Sequence, residues 1–203
     1  LATLDGRYTA TTAALIANTL LSYEILEGLE LKTSLSYTDN RVEESRINPS
    51  TMYNPAFGIG SERSTLYLNN ASSHSWTMEP QLNWLKRIGK SEINILAGAT
   101  FQDQKSSQLA QTGSGFPSNG LIYNLAAASR LNISNNSFSE YKYQAFFGRI
   151  NFNYKSKYIL NATGRRDGSS RFGPGNRFAN FAAVGAAWVF SKESFLDTGT
   201  FLS

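Results

Sequence analysis

An arginine-rich segment holds the residue types in this chain with the greatest capacity for binding. Residues 164–173 read GRRDGSSRFG, and their charges could line a ligand path or could form a local network of ion pairs and turns. The second interpretation is favoured, because Asp-Gly is a common turn former and paired charges at the base of a loop usually hold its shape. The candidate residues are Arg165, Arg166, Asp167, Gly168, Ser169, Ser170, Arg171, Phe172 and Gly173.

Catalytic and metal chemistry have little support in the sequence. His74 is the only histidine, so a Ser-His-Asp triad or a histidine metal site would require it, yet no partner stands at a suitable spacing. Glu43 and Glu44 lie in a long polar segment, whereas acid–base catalysis needs a desolvated and positioned pair. Cysteine is absent, which excludes thiolate ligands and nucleophiles. We therefore predict no enzyme activity, no metal site and no cofactor.

Three further segments, one rich in glycine and two rich in aromatic residues and asparagine, could contact a ligand. The run 113–120 superficially resembles a phosphate-binding loop, but no Lys completes it and no helix pattern follows, so we interpret it as a flexible loop tip. Aromatic rings with neighbouring amides could stack on sugars and bond their hydroxyls, or could pack against other loops, which is the favoured interpretation. The candidate substrate contacts are Tyr53, Phe57, Tyr123 and Asn124.

The composition favours strands and argues against nucleic-acid binding. Aromatic residues make up 13% of the chain and charged residues only 17%, compared with about 25% in a typical protein. The net charge is +4, but the 19 basic residues are scattered and form no run that could follow a phosphate backbone. The chain begins Leu1-Ala2-Thr3 without a signal-peptide pattern, from which we expect an internal piece of a longer protein.

The elements that position these residues are predicted to be strands, because apolar and polar residues alternate with a period of two. None of the apolar faces contains a charge. A lipid-facing Lys or Arg at the bilayer midplane costs about 2–4 kcal/mol, so this partition suits a membrane surface, although a soluble sandwich would also keep its inner face uncharged. Seven strands are predicted, at roughly 10–26, 29–41, 73–86, 91–104, 140–154, 158–166 and 180–190.

The connections between these strands alternate in length. Short links at 27–28, 87–90 and 155–157 alternate with long ones at 42–72, 103–140 and 167–179. Outer-membrane barrels have short periplasmic turns and long extracellular loops, so we predict an antiparallel transmembrane β-barrel fragment, about seven strands of a larger barrel. Aromatic residues near the short turns are predicted to form one interfacial girdle. They are Tyr23, Trp84, Tyr154, Tyr158 and Trp188.

The arginine-rich segment also resembles a family signature. The run RRDGSSRFG at 165–173, with Asn176-Arg177-Phe178 and a strand ending at Trp188, is similar to the signature of SusC/RagA-like TonB-linked outer-membrane receptors. The flanking runs 147–152 and 191–196 are similar too, while 1–139 agrees only in its hairpin rhythm. Two positions depart from the family pattern, since Phe178 stands where Trp is common and Ala182 where Pro is common.

This resemblance implies a barrel of about 22 strands in the bacterial outer membrane, plugged by an N-terminal domain. Such a receptor would import glycan oligosaccharides or peptides with a SusD-like surface lipoprotein, driven through the TonB complex. Residues 1–203 would be a partial barrel without the plug, supplying wall, lumen lining and loops. The alternative is a soluble β-rich carbohydrate-binding or adhesin module. An outer-membrane lipase or protease is disfavoured by the shortage of histidine.

Overall fold

The computed structural model describes residues 5–193 of the chain, and its described part is all-β. Seven strands form one sheet in which each strand pairs with its neighbours in sequence, in the order β1 to β7. Among residues 5–193, no helix is long and apolar enough to cross a membrane. The strands are β1 (Arg7–Leu26), β2 (Leu29–Asn48), β3 (Thr65–Ile88), β4 (Ser91–Ser114), β5 (Arg130–Tyr154), β6 (Tyr158–Ser169) and β7 (Phe178–Trp188).

The seven-stranded antiparallel architecture confirms the predicted fold class. The strand ends at the short turns lie within two residues of their predicted positions, but the opposite ends extend farther. β2 continues to residue 48 instead of 41, and β5 begins at 130 instead of 140, so the long connections are shorter than predicted. Backbone pairing continues where both faces are polar, although the hydrophobic alternation that marks a strand has ended.

The short connections depend on left-handed backbone conformations. Lys155 and Ser156 have φ values of 54° and 52°, the combination that a type I′ hairpin turn requires. Gly28 has φ of 77°, and a Cβ at this position would lie 2.2 Å from the carbonyl oxygen of Leu85. The same approach places the Leu85 amide 2.7 Å from the Gly28 carbonyl oxygen, so this turn requires glycine for two reasons.

The chain divides into two compact units, which we call the loop unit and the turn unit. The described part of the loop unit comprises residues 5–16, 37–75 and 104–140. It contains a small apolar core, formed by Ile47, Leu66, Phe116 and Ile122. Phe116 is 1% exposed, so the interpretation of 113–120 as a flexible loop tip is wrong. This segment is held in place by the ring at its centre, and Gly113 and Ser114 belong to β4.

The turn unit comprises the described residues of 17–36, 76–103 and 141–193, and its sheet has two unlike faces. In the pairing of β5, β6 and β7, Ile150 lies opposite Ala162, and Ala162 lies opposite Val184. Ile150 and Val184 are 49% and 77% exposed, and we call this side the apolar face. On the other side, the polar face, the Asn151 amide donates to Asn161 Oδ1 at 2.9 Å.

Candidate ligand-facing surface

Much of the arginine-rich segment is strand. β6 runs to Ser169, so the prediction that a loop begins at residue 167 is wrong. Asp167 pairs with Ala145 on β5 and with Ala179 on β7. The connection to β7 is therefore only 170–177. The end of this strand could not be predicted from the alternation of apolar residues, because charged side chains interrupt that pattern. The hydrogen bonds of the backbone continue nevertheless.

The two consecutive arginines lie on opposite faces of the sheet, since successive side chains of a strand alternate. Arg166 pairs with Phe146 and Asn180, on the apolar face, and its guanidinium carbon lies 4.8 Å from the ring centroid of Phe178. The prediction that this face contains no charge is therefore wrong at the end of β6. Arg165 pairs with Phe147 on the polar face. Arg165 and Arg166 therefore meet different surroundings and cannot share one role.

Arg165 is held from three sides on the polar face. Its Nε donates to Asp167 Oδ1 at 2.6 Å, and its Nη2 donates to the Tyr143 hydroxyl at 2.6 Å. The guanidinium carbon also lies 5.5 Å from the ring centroid of Phe147, within reach of a cation–π interaction. The Arg165–Asp167 pair fits the predicted ion-pair network, whereas the other two contacts of Arg165 are with aromatic residues.

Arg171 extends this arrangement along the polar face. Its guanidinium carbon lies 4.4 Å from the ring centroid of Tyr141, whose ring stacks against that of Tyr143 with centroids 6.5 Å apart. The Ser170 amide donates to the Lys142 carbonyl, and the Lys142 amide donates to Ser170 Oγ, so the start of the turn is fixed on β5. We call the combined surface the arginine–tyrosine row: Tyr141, Tyr143, Phe147, Arg165 and Arg171.

The remaining residues of the run shape its turn. Gly168 is buried, and a Cβ there would lie 2.6 Å from a ring carbon of Phe178, so the aromatic ring occupies the space that a side chain would need. Ser169 Oγ accepts from the Arg171 amide at 3.3 Å. Phe172 is 60% exposed, and the carbonyl of Gly173 accepts from the Asn176 amide at 3.2 Å. The flanking residues 194–196 of the sequence match lie outside the described residues.

The loop candidates are displayed on the surface of the loop unit. Tyr53, Phe57 and Tyr123 are 46%, 72% and 65% exposed within the described chain, so their contact with substrate or with other loops of a receptor stays a prediction. Asn124 has a local role, since its Oδ1 accepts from the Ala126 amide at 3.1 Å and begins a 3₁₀ turn. Its amide nitrogen is the part of the side chain left to contact a ligand.

A polar cluster that sequence reasoning missed joins the two long connections of the loop unit. Ser64 Oγ accepts from the Ser50 amide at 2.8 Å and donates to Asn119 Oδ1 at 2.6 Å. The Asn119 amide donates to Ser50 Oγ at 3.0 Å. The sequence signal for this folded loop was the apolar pair Phe116 and Ile122 within a Gly-, Ser- and Asn-rich segment. The exposed rings are therefore presented on ordered loops.

Hydrogen bonds between side chains also connect five strands of the loop unit, an arrangement we call the polar ladder. Glu44 accepts from the Tyr8 hydroxyl at 2.5 Å and from the Asn69 amide at 2.6 Å, so it is not simply solvated as its sequence context suggests. Gln108 donates to Asn69 at 2.9 Å and accepts from Asn135 at 2.8 Å. Such a surface offers alternating donors and acceptors to a polar ligand.

The sequence candidates for metal or catalytic chemistry are not brought together. His74 lies exposed within β3. In the part of the chain that the structure describes, no group of three His, Cys, Asp or Glu side chains is placed to hold a metal ion.

Comparisons with known proteins place the chain in a family. No protein-family model matches it. TonB-dependent receptor P3 of Formosa agariphila is 31% identical over 186 residues, which cover 91% of this chain and 18% of that protein. TonB-dependent receptor SusC of Bacteroides thetaiotaomicron is 37% identical over 59 residues, which cover 29% of this chain and 6% of that protein. The aligned residues span 18% of the P3 receptor and 6% of SusC, so this chain covers less than a fifth of the length of either relative.

Solved structures agree on the fold. The RagAB peptide transporter matches with a TM-score of 0.83 at 21% identity, covering 98% of this chain and 22% of that one. The RagAB peptide importer in the closed-closed state matches with a TM-score of 0.79 at 19% identity, covering 96% and 21%. Fold and sequence together define the chain as barrel wall of the TonB-dependent receptor class. The chain belongs to the TonB-dependent receptor family, and the SusC match agrees with the SusC/RagA-like resemblance that the arginine-rich segment carries.

Proposed function

We propose that this chain is part of an outer-membrane TonB-dependent transporter that imports glycan oligosaccharides or peptides. The observation that carries this proposal is the two-faced sheet of the turn unit. Leu31, Leu160 and Val184 are 40%, 46% and 77% exposed within the chain, and leaving such side chains in water is unfavourable, whereas acyl chains would cover them at no cost. The apolar face therefore suits hydrocarbon, and the polar face suits a wet lumen.

The polar groups suit passage of a hydrogen-bonding solute. The arginine–tyrosine row combines rings with guanidinium donors, and the polar ladder supplies carboxylate, amide and hydroxyl groups. Sugar hydroxyls and peptide amides are recognised by groups of these kinds. The exposed rings of Tyr53, Phe57 and Tyr123, with the Asn124 amide, are the proposed first contacts on the loops. No covalent chemistry is assigned to any of them, so the proposed activity is transport without catalysis.

The proposed partners follow from the family. They are a SusD-like surface lipoprotein, the TonB complex reached through another part of the receptor, and outer-membrane lipid. The structural relatives are described as a peptide transporter and a peptide importer, which supports peptides as one substrate class. The SusC relative supports the same kind of receptor without identifying the substrate of this chain.

A soluble carbohydrate-binding or adhesin module is the second candidate. The buried core of the loop unit favours it, because such a core is what a water-soluble domain forms. The exposed apolar side chains of the turn unit oppose it, since a soluble module would have to leave a contiguous apolar surface in water.

The proposal is tested by uptake in cells. We would delete the gene of the full-length receptor and measure uptake of a fluorescent oligosaccharide mixture and a fluorescent peptide mixture, before and after the gene is restored. We expect uptake of one mixture to be lost, to return with the gene, and to be abolished when TonB is disrupted. Unchanged uptake of both mixtures, with a receptor that stays monomeric in water without detergent, would support the soluble module instead.

A further inference from the structure

A concave groove lies on the apolar face of the turn unit, next to the turn between β5 and β6. Its volume is about 490 Å³. It exists because Ala186 contributes only a methyl group between larger neighbours, in a register where Phe152 lies opposite Leu160 and Leu160 lies opposite Ala186. The side chains that line it on this face are Phe152, Tyr158, Leu160, Ala186 and Trp188.

A cation lies close to the aromatic end of this groove. The Lys155 ammonium is 5.2 Å from the ring centroid of Tyr154, and this ring stacks against the groove residue Tyr158 with centroids 6.3 Å apart. In the described part of the chain, Lys155 has no carboxylate partner. Lys157 differs, because its ammonium is 3.0 Å from Glu193. Lys155 is therefore a cation beside the aromatic end of the groove that is not neutralised by an ion pair in the described chain.

We propose that the groove and Lys155 together bind one phospholipid, with an acyl chain in the groove and the phosphate against the ammonium. The inference rests on the proposed function, which places this face in a membrane. The groove is apolar and ends beside aromatic rings and a cation. A phospholipid has the matching parts, an apolar acyl chain and an anionic phosphate. A peptide would fit poorly, since the backbone groups of β6 are already paired on both sides and the lining side chains offer few hydrogen bonds.

The test uses the full-length receptor, purified in a mild detergent and mixed with phosphatidylglycerol as the probe, with the bound lipid counted by native mass spectrometry. Ala186→Phe fills the groove, and Lys155→Gln removes the charge and leaves a neutral polar side chain one atom shorter. Val184→Phe is the control, because it places the same ring on the same face at a residue that does not line the groove.

We expect one phosphatidylglycerol to remain on the unmodified receptor and on Val184→Phe. Ala186→Phe should abolish retention, and Lys155→Gln should weaken it about fivefold, the effect of one cation on an anionic lipid. Equal retention by all four proteins, or equal loss in Val184→Phe and Ala186→Phe, would overturn the inference. A receptor that inserts into vesicles yet retains no lipid contradicts only this site, whereas failure to insert contradicts the proposed function itself.

Discussion

In the loop unit Phe116 and Ile122 are 1% and 2% exposed, whereas in the turn unit Ile150 and Val184 remain 49% and 77% exposed. The first pair is covered by other residues of the same chain, as in a water-soluble domain. The second pair is uncovered and depends on what surrounds the sheet. The loop unit therefore contains a small buried core, whereas these residues of the turn unit are covered only if the proposed membrane location is correct.

The comparison predicts its largest effect in the core of the loop unit. Phe116→Ala removes a ring that is 1% exposed and should lower the stability of the loop unit by about 3–5 kcal/mol. Hydrogen exchange of the loop amides in the full-length receptor measures this loss. Phe57→Ala is the control, since its ring is 72% exposed and the change should stay within about 0.5 kcal/mol. Similar protection in both variants would mean that the core does not hold these loops.

The stability of the turn unit should depend on whether a charge is placed on its apolar face. Ile150→Arg places a guanidinium on the apolar face and should lower the free energy of unfolding in lipid vesicles by about 2–4 kcal/mol. Asn151→Arg, one residue away on the polar face, should cost much less. Denaturant midpoints of both variants in vesicles measure the difference. A larger loss for Asn151→Arg would reverse the assignment of the two faces.

The polar cluster of the loop unit should give a smaller effect. Ser64→Ala leaves the Ser50 amide and Asn119 Oδ1 without their shared hydroxyl, which should cost about 1–3 kcal/mol because Ser64 is 0% exposed. Hydrogen exchange at Ser50 reports the loss directly. Ser118→Ala, an exposed serine of the same loop unit, should change this exchange little. Equal exchange in both variants would remove the cluster as a support of the loops.

The smallest effect is expected beyond the end of β7, in the turn unit. Tyr158, Lys157 and Trp188 donate to the carboxylate of Glu193 and lower its pKa from 4.5 to about 2. Because the pKa is lower in the folded state, the contribution is complete above about pH 4.5 and is lost as the pH falls toward 2.

The measurement for this prediction is the melting temperature of the full-length receptor between pH 5 and 2. Glu193→Gln should lower it at pH 5 and should flatten its decline with acid. A decline with the same slope in both proteins would show that Glu193 contributes no pH dependence in this range.

The sequence predicts the turn unit better than the loop unit, for physical reasons. Alternation marks a strand only where its two faces meet different surroundings, so the strand around Leu31 was visible and the continuation of β2 to Asn48 was not. The glycine at 28 and the turn at Lys155 set the short connections locally. Local rules of this kind can be read without a structure.

The site was harder to predict because it depends on contacts between distant residues. The sequence favoured an ion-pair network for the arginine-rich run, and Arg165 with Asp167 forms one. The split of Arg165 and Arg166 between two faces follows from alternation, but only after the run is known to be strand. Ser64 and Asn119 are far apart in sequence, so their hydrogen bond has no local signal.

Spin labels test most directly whether the apolar face meets hydrocarbon. Single labels at Leu31, Leu82 and Ile95 would be compared with one at Lys32, which follows Leu31 on the opposite face, in the full-length receptor reconstituted into vesicles. Accessibility to dissolved oxygen and to a water-soluble nickel complex reports the surroundings of each label. We predict high oxygen and low nickel accessibility at the three apolar positions and the reverse at Lys32. High nickel accessibility at all four positions would contradict a lipid-facing sheet and the transporter assignment that depends on it.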